Sequence, residues 1–378
     1  MKIVDTLSQH LQTPGESLQS HLRRKQLDLA RDIRAAKKVY LDTKFWLLLR
    51  DARLGRNVGS DTVALLGLLY SGVAGGKLIC PISADTYIEI FRQTDHVTLR
   101  ACVELIDDLS KGVAIILLME RISLEVHHFL RRVTKGSDAV YPVEELIWTK
   151  IPYVLGFCTP TSKSFPPDVD LAVQKAFLDQ LWVTKTADML NIMGDDTRPL
   201  TEAFPDISDQ LNRGKVDHHH ENKSFKQLFL SELWGVLDLY KPYFEDIMAY
   251  IYEKDTGQRP SVAEKTNQVC GEKVANLIYN GFRFNKLTKE LPSLWLGAGF
   301  HAAVRWDLKR KFKANDMPDF RHAVAAIPYC DFFLTEHSLR HLVGDKNLRL
   351  GTLFPCQTFS DASLAVEALA PICQQPGG

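Results

Sequence analysis

Three things are scarce in this chain of 378 residues. Paired cysteine is the first. The seven cysteines, at 80, 102, 158, 270, 330, 356 and 373, show no CxxC spacing and no pairing with histidine. That excludes a disulfide scaffold, argues against structural zinc, and fits reduced core thiols of a cytoplasmic protein. Long apolar runs are the second. The longest, Val113 to Met119, is strand length, far short of the ~20 residues of a membrane-spanning helix. The polar start Met1-Lys2-Ile3-Val4-Asp5 has no signal-peptide apolar region, so a soluble protein without a membrane partner is expected. Surplus charge is the third. Lys and Arg number 46, as do Asp and Glu, for a formal net charge of +0; binding of nucleic acid would need a local basic patch. The 45% apolar and 24% charged content is ordinary for a globular chain. Its length allows one large core, or one domain carrying a substantial insertion.

What is present is an alternation of strands and helices at both ends of the chain. Residues 15–38 read as a basic amphipathic helix, with Arg23, Arg24, Lys25, Arg31, Arg34 and Lys37 set among Leu22, Leu27, Leu29 and Ile33. Val39–Asp42 is a short β-rich run that gives way to a helical pattern at Phe45. A helix over 61–74, capped by Ser60 or Asp61, ends at Gly75-Gly76. Strand 78–82, a helix capped by Ser83, helix 98–110, strand 113–119 and helix 123–133 follow. Near the end come a helix at 297–312, a helix opened by Asp316 and Asp319, strand 331–335, helix 338–342, strand 356–359 and helix 361–369. Such alternation points to a parallel sheet with right-handed crossovers. The middle breaks the rhythm: helical segments at 170–193, 223–253 and 261–281 are joined by proline-rich and polar stretches. The tail 374–378 reads as disordered. The expected organisation is a basic helix (1–36), an α/β core in two parts (37–135 and 296–372) and a helical insertion (136–295).

Four acids stand at the ends of apolar segments: Asp42, Glu89, Asp319 and Glu336. A carboxylate at the C-terminal tip of a buried parallel strand points to the crevice where open α/β sheets hold ligands. Several such groups repel one another unless a cation lies between them. Mg²⁺ or Mn²⁺ acting on a phosphate fits hard oxygen ligands that leave room for water. Asp316, one turn from Asp319, is a further candidate ligand. Substrate contacts are expected from Thr43, Lys44, His322 and Thr335 beside the acids. Others are expected from Arg305, Lys309 and Arg310 on the basic stretch Arg305-Trp306-Asp307-Leu308-Lys309-Arg310-Lys311-Phe312-Lys313, whose Trp306 or Phe312 offers a base-stacking ring if exposed.

The blocks Val39-Tyr40-Leu41-Asp42-Thr43, Ile82-Ser83-Ala84 with Glu89, and Asp319 through His322, Pro328 and Asp331 to Glu336 resemble PIN and PIN-like nuclease domains. The resemblance covers roughly 37–130 and 297–370. Glu336 stands where that family usually has Asp, and the helical insertion lies outside the minimal fold. The resemblance implies a parallel sheet flanked by helices and a Mg²⁺- or Mn²⁺-dependent endoribonuclease that leaves a 5′-phosphate and a 3′-hydroxyl. Asp42, Glu89, Asp319 and Glu336 would carry the reaction. A toxin or defence effector, a homodimer and an inhibitory partner are compatible with it.

Rival functions stay open at this point. A DNA-directed nuclease uses the same metal chemistry, and nothing in the sequence reads a 2′-hydroxyl. A catalytically silent nucleic-acid-binding or scaffold protein is the other alternative. A haloacid-dehalogenase-type phosphatase needs a second Asp two residues after the first, and Lys44 occupies that place. His218-His219-His220 lies among polar residues and reads as a surface loop.

Overall fold

The computed structural model describes residues 2–135, 141–154, 158–194, 206–221, 223–258, 260 and 269–374. The chain opens with α1 (Leu7–Leu11), α2 (Leu18–Asp32), β1 (Lys37–Leu41), α3 (Thr43–Arg53), α4 (Ser60–Ala74) and β2 (Leu78–Ile79). Next come α5 (Ala84–Ile90), α6 (His96–Ser110), β3 (Val113–Ile115), α7 (Leu118–Lys135), α8 (Val143–Leu146) and β4 (Trp148–Lys150). The middle holds α9 (Pro167–Val183), α10 (Thr186–Met193), α11 (Ser208–Asp217), α12 (Phe225–Thr256) and α13 (Val269–Arg283). The chain closes with α14 (Pro292–Trp306), α15 (Asp316–Ala326), β5 (Phe332–Leu334), α16 (His337–Val343), α17 (Leu350–Leu353), β6 (Gln357–Phe359) and α18 (Ala362–Gln374). The protein is mixed α/β, 66% helical, with a small parallel sheet flanked by helices.

The sheet order is β2-β1-β5-β6, every pair parallel. The central strands β1 and β5 are buried on both faces where they pair, as parallel strands covered by helices must be. Val39, Leu41, Phe332 and Leu334 enter one core with α3, α4 and α6, while Tyr40 and Phe333 enter another with α2, α14 and α15. A third core joins α7, α12, α13 and α14. Helix α14 belongs to two of them: Leu296 and Phe300 face the sheet side, whereas Ala298 and Ala302 face the helical core. Each fully buried large apolar side chain contributes roughly 1.5–3 kcal/mol, so this helix welds the insertion to the sheet. Helix α13 approaches α12 closely at Gly271, where a Cβ would lie 2.6 Å from the Lys241 carbonyl oxygen.

Several sequence expectations are corrected here. The apolar run 113–119 divides: β3 ends at Ile115 and α7 begins at Leu118. β3 pairs antiparallel with β4, with Ala114 opposite Thr149, so sheet structure continues past residue 135. Ile82 is not in β2; it bridges Ala114 instead. The helix expected over 170–193 is two helices, because the Asp107 carboxylate caps the second by accepting from Thr186 N and Ala187 N at 2.8 and 2.9 Å. The boundary drawn at 295/296 falls inside α14, which ends at Trp306 and does not reach 312. Lys215 ends that helix by donating to the Val304, Asp307 and Arg310 carbonyls at 2.8, 2.5 and 2.5 Å. Asn212 fastens the next stretch, exchanging two hydrogen bonds with the Phe312 backbone. The tail residues 375–378 and the stretch 261–268 of the expected 261–281 helix lie outside the described residues.

Candidate functional site

Asp42 follows β1 and caps α3, with its Oδ1 accepting from Phe45 N at 3.1 Å. Its Oδ2 accepts from Glu336 N at 3.0 Å. Glu336 follows β5 and sits at the N-cap position of α16 with no side-chain capping bond. Parallel pairing of β1 and β5 puts both strand tips at one sheet edge. Glu89 comes from α5 and Asp319 from the first turn of α15. All four acids line one cleft of about 420 Å³, together with Thr43, Lys44, Asp51, Asn315, Pro318 and His322. Asp51 and Asn315 escaped the sequence reading.

The electrostatics divide the acids into braced and unbraced ones. Burial raises the pKa of Asp42, against the opposing influence of His322 and of its hydrogen bonds. Burial also pushes Asp319 up to about 7, with Glu336, Asp42 and Asp316 adding to it. Among the described residues no donor reaches the Asp319 carboxylate. Glu89 is the opposite case. Desolvation works to raise it, yet His322 and the Thr43 hydroxyl hold it below the ordinary range. Thr43 donates to Glu89 Oε2, and His322 Nε2 donates to the same oxygen at 3.3 Å.

His322 is itself held from behind. Its Nδ1 lies 2.8 Å from the Tyr40 hydroxyl, which also meets Ser83 Oγ at 2.7 Å and Thr86 Oγ1 at 3.2 Å. Burial disfavours its charged form, but Tyr40, Glu89 and Asp85 together hold its pKa well above the ordinary value. The imidazolium then donates from both nitrogens, and the Tyr40 hydroxyl accepts from one of them and passes its own proton on. No spacing rule reveals this relay, since Tyr40 and His322 are 282 positions apart.

Of the other residues expected at the site, Thr43, Lys44 and His322 line the cleft and the rest lie elsewhere. Asp316 is buried with both oxygens engaged, by Arg310 at 2.8 Å and Lys313 N at 3.0 Å. It closes the loop before α15 and does not line the cleft. Arg310 is occupied by that same pair. Arg305 pairs with Glu232 on α12, and Lys309 is exposed in the non-helical stretch after Trp306. Thr43 spends its hydroxyl on Glu89, His322 its two ring nitrogens on Glu89 and Tyr40, and Thr335 is fully buried. Lys44 is the cation among the cleft-lining residues besides His322. His218, His219 and His220 are exposed.

Among the described residues the four acids do not gather into a tight set of ligand atoms. A tighter gathering is His10, His21 and Asp179, whose ligand atoms lie within 4.8 Å of one another. That cluster is saturated without a metal. Lys25 Nζ stands 2.6 Å from Asp179 Oδ1, and Thr6 donates to Oδ2 at 2.8 Å. Arg24 donates to His21 Nδ1 at 2.7 Å, leaving the Nε2 proton for Asp179. The cluster clamps α1 and α2 onto α9. In the acid cleft, by contrast, an unpartnered carboxylate among other acids fits a hard cation whose remaining positions are filled by water.

No family model matches the chain, and neither a curated protein nor a solved structure matches it. No helix among the described residues is long and apolar enough to cross a membrane.

Proposed function

We propose that the chain is a metal-dependent endoribonuclease of the PIN-like type. One observation carries the proposal: four acids from four separate segments line a single cleft at the edge of the parallel sheet, and Asp319 among them has a carboxylate without a donor from any described residue. Asp42, Asp319 and Glu336 would hold a Mg²⁺ or Mn²⁺ ion, with Glu89 as the braced fourth acid. A divalent ion so held supplies a water ionised near neutral pH and offsets charge developing on a phosphodiester.

The chain's own residues set the geometry. Glu336 N and Phe45 N fix both oxygens of Asp42, so its free lone pairs have one orientation. Thr43 and His322 do the same for Glu89. Burial pushes the Asp319 pKa up to about 7, so a cation held there would favour its ionised form. Lys44 at the cleft wall offers the positive charge that a nucleic-acid backbone meets.

Titrating Mn²⁺ into chelator-treated protein in a calorimeter tests this. Binding that is lost in Asp42→Asn and in Asp319→Asn supports it. Absence of binding in the wild type, or undiminished binding in both variants, would remove the metal site and leave the scaffold function as the better one.

A further inference from the structure

Helix α15 separates two concavities. Asn315, Pro318, Asp319 and His322 face the acid cleft. Met317, Phe320 and Arg321 face a second, mainly apolar groove of about 300 Å³ whose other walls come from α7, α12 and α14. Pro318 lines both, so the groove opens directly beside the acids. Leu239 of α12 stands at its edge, 71% exposed. His301 of α14 faces the groove with its ring against Phe320, centroids 5.5 Å apart. Burial holds the His301 imidazole below its ordinary pKa and so neutral, and no described residue hydrogen-bonds its ring nitrogens. Arg321 bridges the two sites, since it lines the groove while pairing at 3.4 Å with Asp85, on the helix that carries Glu89.

A small, mainly apolar groove with one unsatisfied neutral hydrogen-bonding ring suits an apolar-faced group with a polar edge. The volume is at the low end of the ~300–1,000 Å³ of small-molecule clefts, too little for a docking helix. We infer that this groove takes an unpaired nucleobase of the strand whose phosphate lies in the acid cleft, with His301 bonding the base edge and Phe320 and Met317 packing its face. The inference rests on the nuclease function proposed above. It gives the insertion a task, because α12 supplies a wall of the groove.

The test uses the full chain and a short non-cleavable 2′-O-methyl RNA strand carrying 2-aminopurine at one position at a time. Quenching at a single position is expected. His301→Leu and Leu239→Ser should each weaken that strand's binding about tenfold, as loss of a base contact does, and leave a strand abasic at that position unaffected. Leu239 is exposed, so its variant folds even if the His301 variant does not. Quenching at no position, or equal weakening of both strands, overturns the inference. Quenching by a protein that cleaves nothing would keep the groove and remove the nuclease. Cleavage with unaltered binding in both variants would do the reverse.

Discussion

The backbone N–H of Glu336 donates to Asp42 Oδ2 at 3.0 Å, across 294 positions of sequence. One carboxylate thereby ties the end of β1 to the end of β5. Its other oxygen starts α3. An amide has a single acceptor oxygen, so Asp42→Asn loses one of the two bonds, about 0.5–1.5 kcal/mol, while shedding a buried charge. Metal-free stability is therefore expected to stay within about 1 kcal/mol of wild type. The extra stability from saturating Mn²⁺, about 2.7 kcal/mol at a hundred times Kd, should vanish. Urea denaturation in chelator and in Mn²⁺ reads both quantities.

Tyr40 and His322 act on the cleft through Glu89. Groups that orient a metal ligand typically change affinity or activity by about 10–100-fold when removed. His322→Gln should fall in that range, and Tyr40→Phe, which leaves the imidazole in place, should fall short of it. Calorimetric Mn²⁺ affinities of the two variants check the order.

Asp316 and Asp319 are one turn apart and should behave oppositely. Asp316→Ala leaves Arg310 and Lys313 N without their partner and is expected to cost about 1–3 kcal/mol, with the Mn²⁺ increment retained. Asp319→Ala should lose the increment and leave the metal-free protein no less stable. A thermal melt of each variant with and without Mn²⁺ separates them.

Glu125, on α7 away from the cleft, gives a pH signature. Burial raises its pKa from 4.5 to about 7, although Ser293, Tyr329 and Arg121 oppose the rise. The fold thus favours the protonated form. This contribution is fully present below the unfolded pKa of 4.5 and is lost as pH rises through about 7. For a shift of this size it is about 3 kcal/mol. Glu125→Gln can turn its oxygen to Ser293 N and donate from its amide to the Ser293 and Tyr329 hydroxyls. That variant should flatten the decline in stability between pH 4.5 and 7. Denaturation across that range is the measurement.

The strand–acid–helix junctions were readable because local rules converge there. An apolar run of strand length ends in a carboxylate, and at Asp42 the same residue caps the next helix. What escaped was non-local or too short. β4 is only three residues, Trp148–Lys150, held by pairing with β3. The basic stretch after Trp306 looked helical until Lys215 and Asn212, from another helix, took the Asp307, Arg310 and Phe312 carbonyls. Arg305 looked free because its partner Glu232 is far away in sequence. The Tyr40–His322–Glu89 relay needs three segments to meet. The groove beside α15 exists only once α12 has packed against α14.

The most direct measurement is digestion of end-labelled single-stranded RNA and DNA by wild type and Asp42→Asn in Mn²⁺, in Mg²⁺ and in EDTA. RNA cleavage that requires the metal and disappears in Asp42→Asn is the expected result. Cleavage confined to DNA would contradict the substrate, and cleavage in EDTA or by Asp42→Asn would contradict the metal site itself.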